Sequence, residues 1–289
     1  MKIAVLGDVH ANLTAFEAAA EHAARWQPDA VVSVGDIVNR GPSSPECLAF
    51  AEARAREDGW RMLRGNHEDY IIGQSRPDAV RTGREKDPFY LAYWTYRQLG
   101  EDVTAISRWS ELEELAAPDG SLARIAHASV KGNAQGIFPQ SPDEELLEKG
   151  GRPSPGVFCG GHTHTAFVRR VDGTLFVNSG SVGIPFDGDR RAAYARLTWQ
   201  AGAWGAKIVR LDYDMEKTLA EYAASGFLQE AGPIAWLVLA EFLYARSQLF
   251  GWQRTYLEAV NRDEITIEWS VIDQLERQGL WDVIRPRLG

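Results

Sequence analysis

Alternating apolar and polar stretches at the start of the chain predict a strand, a helix and a second strand. Lys2–Leu6 and Ala30–Val34 are short apolar runs rich in β-branched residues, and Leu13–Arg25 between them has an alanine-rich helical pattern. A second predicted helix ends near Arg56 and is followed by a short strand at Arg61–Leu63. Strands that alternate with helices are typical of a parallel sheet, so we expect polar loops at the carboxyl ends of these strands.

From Glu111 onward the pattern changes to pairs of strands joined by tight turns. The turns contain the dipeptides Asp119-Gly120, Asp172-Gly173 and Ala201-Gly202. The predicted strand pairs are Leu112–Ala116 with Leu122–Ala126, Ala166–Val171 with Thr174–Val177, and Ala193–Trp199 with Ala206–Leu211. Together with the amino-terminal unit, these pairs predict an α/β fold of two mixed sheets flanked by helices.

Two segments do not follow this pattern. Arg76–Gly100 is an insert whose aromatic residues have helical spacing; they are Phe89, Tyr90, Tyr93, Trp94 and Tyr96. Aromatic stripes are usually buried, so we expect these rings to pack the insert onto the core, with substrate stacking as the alternative.

The second segment follows Asp214, which is a suitable helix cap, and is rich in helical pattern and tryptophan. We therefore predict a main domain over residues 1–212 and a helical extension over residues 213–289. The extension is expected to shield a flank, form a lid or mediate homodimerisation, and the sequence does not choose among these roles.

Composition narrows the class of protein. The chain has 289 residues, 45% of them hydrophobic, and a formal net charge of −9, which argues against an extended nucleic-acid surface. The apolar run Ile234–Leu243 is too short to span a bilayer.

The start of the chain and its cysteines bear on localisation. A strand predicted at Lys2–Leu6 leaves no room for a signal peptide, and Cys47 and Cys159 are expected to be buried apolar residues. We therefore expect a cytoplasmic protein.

Five of the six histidines lie in or beside short polar signatures that follow predicted strands. The signatures are Gly7-Asp8-Val9-His10, Gly35-Asp36, Gly65-Asn66-His67, the single His127, and Gly161-His162-Thr163-His164. Because they should meet at one edge of a sheet, they predict a metal site built from oxygen and nitrogen donors without thiolate. Such donors suit manganese, iron, zinc or cobalt. The sixth, His22, lies in a predicted helix outside any signature and is expected on the surface.

The order of these signatures resembles that of the calcineurin-like metallophosphoesterases, which carry GDxH, GDxxxRG, GNH(D/E), a single His and GHxH. The resemblance covers Met1 to about Leu211, and the loop Asn178–Pro185 looks like the NPGSVG-P loop of the small bacterial and archaeal branch. It implies a four-layer αββα sandwich, to which the helical C-terminal appendage is added.

The resemblance also implies two divalent ions. One set of ligands would be Asp8, His10, Asp36 and His164, and the other would be Asp36, Asn66, His127 and His162. Asp36 would bridge the two ions. Manganese is the expected metal, with iron, zinc, cobalt and nickel as alternatives.

Three further residues receive roles from the same resemblance. His67 would protonate the leaving group, and Arg40 would contact the phosphate together with Asn66 and Asn39. Asn39 departs from the serine/threonine protein phosphatases, which carry Asp there. Since an amide cannot supply charge, the His67 imidazolium should be less stabilised, which favours substrates with better leaving groups.

The expected activity is hydrolysis of small phosphate esters, of phosphodiester or nucleotide type, by in-line attack of a metal-bridging hydroxide. One alternative is a serine/threonine-type protein phosphatase, which shares GDxxxRG and GNHE. The other is a non-catalytic metal-binding scaffold whose helical extension recruits a partner. For the glycine- and serine-rich loop Asn178–Gly183, an ordinary turn and a phosphate-facing role are equally expected.

Overall fold

Two five-stranded mixed sheets form the centre of the chain in this computed structural model, which describes residues 1–80 and 89–288. The first sheet has the order β10-β9-β1-β2-β3, with bounds Ala203–Leu211, Ala192–Gln200, Lys2–Leu6, Ala30–Ser33 and Arg61–Met62. The second has the order β4-β5-β6-β8-β7, with bounds Leu112–Ala116, Leu122–Ala126, Val157–Gly160, Thr174–Asn178 and Phe167–Val171.

Helices cover the outer faces of the sheets and make up the C-terminal region. In the main domain they are α1 (Leu13–Arg25), α2 (Ser44–Asp58), α3 (Asn66–Gln74), α4 (Tyr90–Gln98), α5 (Thr104–Ser107) and α6 (Asp143–Gly150). In the C-terminal region they are α7 (Met215–Ala224), α8 (Phe227–Glu230), α9 (Ile234–Tyr244), α10 (Leu249–Asn261), α11 (Ile267–Arg277) and α12 (Trp281–Ile284), followed by a short 3₁₀ turn at Arg285–Arg287.

The predicted βαβ unit is present at the start of the chain. β1 pairs in parallel with β2, with Ile3 opposite Ala30, and α1 crosses between them. The side chain of Asn12 caps α1 by accepting a hydrogen bond from the Ala15 amide at 3.1 Å. Because the buried face of α1 consists of small residues and Phe16, the helix can lie close to the sheet.

The inner faces of the two sheets pack against each other, which confirms the predicted αββα sandwich. Their shared core includes Val5 and Val32 from the first sheet and Ile125, Val157 and Val177 from the second, all fully buried. Separate apolar clusters lie between each sheet and its helices. Burial on both faces explains why these strands are continuous apolar runs rather than alternating ones.

The three predicted strand pairs are confirmed; the pair at residues 112–126 has the predicted bounds, and the ends of the other two are shifted by at most three residues. In the predicted insert, residues 81–88 lie outside the described residues. Trp94 and Tyr96 are buried in the core as expected, whereas Phe89 is half exposed. His22 is half-buried rather than solvated, and its Nδ1 lies 3.0 Å from the Tyr194 hydroxyl. Cys47 and Cys159 are buried and free.

The C-terminal helices have an apolar core of their own, centred on Tyr222, Phe227 and Trp252. This core also takes in Leu91 and Trp94 of α4, so the helical region packs directly onto the insert. Within residues 1–80 and 89–288, no helix has the length and apolar character needed to cross a bilayer.

Candidate metal centre

The predicted ligands lie on loops with unusual backbone geometry. Seven of the fourteen described non-glycine residues with positive φ are residues that the sequence assigned to the site: Asp8, His10, Asp36, Asn39, Arg40, His162 and His164. Each such conformation costs on the order of 1–3 kcal/mol and persists only where the surrounding structure imposes it. The strain is therefore concentrated where the polar side chains must converge.

At two motif positions only glycine fits, because a ligand carboxylate lies against the Cα atom of each. A Cβ on Gly161 would lie 2.2 Å from Asp8 Oδ2, and a Cβ on Gly65 would lie 2.1 Å from Asp36 Oδ1. Any side chain at either position would displace the carboxylate. The glycines of the signatures thus serve the placement of ligands that belong to other signatures.

The first group of donors consists of Asp8, His10, Asp36 and His164, whose ligand atoms lie within 4.8 Å of one another. The Nε2 atoms of His10 and His164 are 3.0 Å apart. His164 Nε2 lies 3.4 Å from Asp8 Oδ1, and His10 Nε2 lies 3.6 Å from Asp36 Oδ2. All four side chains are almost completely buried.

The second group consists of Asp36, His127 and His162, and Asn66 joins it. Asn66 Oδ1 lies 2.9 Å from His127 Nε2 and 2.8 Å from His162 Nδ1. His127 Nε2 is in turn 3.4 Å from Asp36 Oδ2. Asp36 Oδ2 therefore faces imidazole nitrogens of both groups, as expected of the bridging ligand that the resemblance implied.

These distances and donor types fit bound metal ions. Ligands about 2.1 Å from an ion and adjacent in an octahedral or tetrahedral shell are about 3.0–3.4 Å from each other, close to the separations found here. His127 Nδ1 bonds to the Val34 carbonyl at 2.8 Å and His164 Nδ1 to the Ile184 carbonyl at 2.5 Å. A ring nitrogen that donates to a carbonyl leaves the other nitrogen with a free lone pair directed into the group.

Electrostatics at the centre also suit cations. Burial lowers the pKa of His162 to about 3 and also lowers the pKa of His10, so both imidazoles are neutral and available as ligands. Burial, followed by the nearby Glu68 and Asp8 carboxylates, raises the pKa of Asp36 well above its ordinary value. Carboxylates crowded together without water are stabilised by a positive charge between them.

Glu68 is a residue whose importance the sequence analysis missed. Its buried carboxylate accepts hydrogen bonds at 2.8 Å from the amides of Asp36, Ile37 and Gly65. It thereby fixes the loop that carries Asp36 against the loop that carries Asn66. The signal was present in the motif Gly65-Asn66-His67-Glu68, but the pattern alone does not show that Glu68 points inward.

His67 lies beside both groups without joining either of them. Asn39 Nδ2 is 3.0 Å from His67 Nδ1. Asn39 Oδ1 accepts hydrogen bonds from the Arg40 amide at 2.9 Å and from the Thr95 hydroxyl at 3.0 Å. Since these two donors fix the direction of the amide, Asn39 donates to Nδ1 and the proton of a neutral His67 is on Nε2. Burial, then the charge of Arg40, lowers the pKa of His67 well below its ordinary value.

Arg40 forms a buried ion pair that the sequence did not reveal. Its Nη2 lies 2.5 Å from Oε2 of Glu241 on α9, a residue 201 positions away. The guanidinium also stands over the Phe186 ring at 5.3 Å. Its buried Nε has no hydrogen-bond partner among the described residues.

The loop Asn178–Gly183 serves the site structurally. The Ser181 hydroxyl donates to the Asp8 carbonyl at 2.6 Å, and Asn178 Nδ2 donates to the Gly161 carbonyl at 2.6 Å. The loop is fully buried and does not line the pocket beside the donor groups. Of the two roles considered for it, the structure favours a turn that supports the ligand loops.

A pocket of about 650 Å³ opens beside the donor groups. Its polar end contains Asp36, Asn39, Arg40, Asn66, His67, His162 and His164. The structure therefore brings all the predicted site residues together around one space, with Asp8, His10 and His127 buried just behind it.

The chain is similar to known proteins over most of their length. The chain is 25% identical over 232 residues to an uncharacterised protein of Methanocaldococcus jannaschii. The aligned stretch covers 74% of this chain and 89% of that protein. A metallophosphoesterase from Sphaerobacter thermophilus superposes with a TM-score of 0.64 at 22% identity, covering 85% of this chain and all of that one. A hypothetical protein from Pyrococcus horikoshii gives a TM-score of 0.71 at 17% identity, covering 85% and 99%.

Sequence comparison also identifies the family, and the match covers most of the main domain. The model of the calcineurin-like phosphoesterase superfamily domain matches residues 1–202. This stretch holds all the predicted site residues, from Asp8 to His164. The chain therefore belongs to the calcineurin-like phosphoesterase superfamily.

Proposed function

We propose that this chain is a phosphoesterase that uses two divalent metal ions to hydrolyse small phosphate esters. The observation that carries the proposal is the pair of donor groups that share Asp36 and open into one pocket. Manganese is our preferred metal, since the donors are imidazole, carboxylate and amide groups without thiolate.

The residues around the pocket have separate tasks in this reaction. When bound, the divalent ions supply a water acidic enough to attack phosphorus at neutral pH. Asp36 connects the two groups of ligands. Arg40, which lines the pocket beside these ligands, binds a nonbridging phosphate oxygen in a geometry that the planar guanidinium favours.

His67 acts on the leaving group. Because Asn39 donates to Nδ1, the neutral ring presents its Nε2 proton as the acid. A neutral imidazole is a weaker acid than an imidazolium, so this arrangement favours esters whose leaving groups need little protonation. Phosphodiesters, phosphoanhydrides and aryl esters meet that requirement better than phosphoserine.

The test is a substrate panel combined with metal analysis of the purified protein. The panel contains bis-p-nitrophenyl phosphate, p-nitrophenyl phosphate, cyclic nucleotides, dinucleoside polyphosphates and a phosphopeptide, each assayed with manganese and with zinc. We expect about two ions per chain and the highest kcat/KM for a small ester.

Two outcomes would contradict the proposal. A preference for the phosphopeptide would indicate the protein phosphatase alternative. A metal-replete protein without hydrolysis of any member of the panel would indicate a scaffold.

A further inference from the structure

The apolar side of the pocket is built largely from aromatic rings. Tyr70, Phe89, Phe138 and Phe250 line it with exposed fractions of 43%, 50%, 41% and 63%. Among residues 1–80 and 89–288, only six aromatic side chains are exposed, and four of the six line this pocket. Such concentration is typical of a ligand site and not of ordinary surface.

The rings begin next to the candidate acid and extend outward. The centroid of Tyr70 is 5.4 Å from that of His67, and Phe89 follows at 6.4 Å from Tyr70. On another side, Phe186 stacks on His164 at 4.3 Å. An ester whose phosphorus is held at the donor groups would therefore have aromatic surface close to its organic part.

The C-terminal region supplies one wall of this pocket. Leu249, Phe250, Trp252 and Gln253 on α10 line it, although they lie more than 80 positions after the last predicted ligand. Glu241 fixes the start of this helix, because its Oε1 accepts hydrogen bonds from the amides of Gln248 at 2.8 Å and Leu249 at 2.9 Å. The wall is thus held in place by a buried carboxylate.

The charged groups and the volume of the pocket indicate what kind of ligand it can hold. Apart from the histidines, Asp36 and Arg40 are the only carboxylate or strongly basic side chains among the described lining residues, and both lie at the polar end. The remaining volume is too large for a phosphate alone and lies in the range of sites for small organic molecules. An uncharged group of nucleoside size would fit it.

We infer, resting on the proposed function, that this pocket binds the organic part of the ester and selects a flat aromatic group such as a nucleobase. Several aromatic rings around one space favour a flat aromatic group over a flexible alkyl chain, because a planar group can contact them without losing rotamer freedom. The amide of Gln253 adds a polar group suited to the edge of a base.

The experiment compares binding of phenylphosphonate, methylphosphonate and hexylphosphonate to manganese-loaded protein by calorimetry. Their carbon–phosphorus bonds are not hydrolysed as esters, so the result does not depend on turnover. We expect phenylphosphonate to bind about 5- to 150-fold more tightly than methylphosphonate, the equivalent of one stacked base. Equal affinity for the two, or tighter binding of hexylphosphonate than of phenylphosphonate, would overturn the inference.

Variants locate the preference within the pocket. Phe250→Ala should lose at least about 5-fold of the phenyl preference while leaving methylphosphonate affinity unchanged. Trp269→Ala on α11 is the matched control, since Trp269 is an aromatic residue of the same helical region, is 52% exposed and lies outside the pocket lining. If both Phe250→Ala and Phe138→Ala keep the full preference, the aromatic wall does not select the ligand.

A catalytic comparison separates this inference from the proposed function. Adenosine 5′-monophosphate and ribose 5-phosphate have the same type of leaving oxygen and differ in the base. Higher kcat/KM for the nucleotide supports the aromatic site. Phosphonate selectivity without hydrolysis of any ester would support the aromatic site and overturn the proposed function. Hydrolysis of esters without phosphonate selectivity would support the proposed function and overturn the aromatic site.

Discussion

The loops that carry the candidate ligands and the helical region after Asp212 are built on opposite principles. The loops hold buried polar side chains on strained backbone, and Asp8, His10 and Asp36 all have positive φ with almost no exposure. The helical region has an apolar core around Trp252 and ordinary helical geometry. In the loops, strained backbone conformations are the cost of placing the polar side chains. In the helical region, apolar packing holds the helices that form one wall of the pocket.

A buried ion pair, Arg40 with Glu241, joins the two regions. The same carboxylate that holds the guanidinium also holds the start of α10. This arrangement suggests a division of tasks, in which the loops determine the chemistry and the helices determine which ester reaches it. Variants in each region can test that division, beginning with the largest expected effect.

Asp36→Asn should reduce hydrolysis to background, because both donor groups lose the carboxylate that they share. Metal content, measured by mass spectrometry, should fall with it. Unfolding of the metal-free protein in urea should be little changed, since Asn can still accept the hydrogen bond from the His67 amide. Asp58→Asn, on the exposed end of α2, is the control and should keep both metal and activity. Full metal content in Asp36→Asn would contradict the bridging role.

His67→Asn should lower kcat by about 10²–10⁴-fold for alkyl esters, which need a protonated leaving group. The loss should be much smaller for p-nitrophenyl esters, whose leaving group is stable as an anion. Metal content should stay unchanged because His67 belongs to neither donor group. An equal loss for both kinds of ester would show that His67 does not act on the leaving group.

Glu241→Ala should lower the free energy of unfolding by about 3–5 kcal/mol, because it leaves the Arg40 charge buried without its partner. Glu241→Gln keeps the shape and an acceptor for the Gln248 and Leu249 amides, so its loss should be smaller. Urea unfolding of the metal-free proteins measures both. Arg25→Ala, which removes an exposed ion pair with Glu21, is the control and should change stability by less than about 1 kcal/mol. Equal stability of all three variants would mean that the two regions are not coupled here.

Asn39→Asp should have the smallest effect and the most specific one. A carboxylate beside Nδ1 favours a protonated His67, so hydrolysis of alkyl esters should improve relative to p-nitrophenyl esters by about tenfold, the equivalent of one pKa unit. Rates across a series of leaving groups measure this ratio. An unchanged dependence on the leaving group would show that the amide at this position has no influence on the acid.

Much of the fold could be predicted from local patterns. The apolar run of β1, the alanine-rich α1 and the Asp-Gly turns each reflect interactions within a few residues, so their positions were confirmed with small shifts at the ends. The half-burial of His22 could not be predicted, because its partner Tyr194 is 172 positions away. The same applies to Glu68, whose motif was visible while its inward direction was not.

By itself, the amino-acid sequence determined the order of strands and helices and the types of donor in the site, since both depend on residues that are neighbours along the chain. Only the tertiary structure decided that Asp36 faces both groups, that the Asn39 amide points its NH₂ at His67, and that Glu241 holds Arg40. It also decided that α10 closes one side of the pocket. These features arise when distant segments pack together, and packing depends on the whole set of contacts and not on any local pattern.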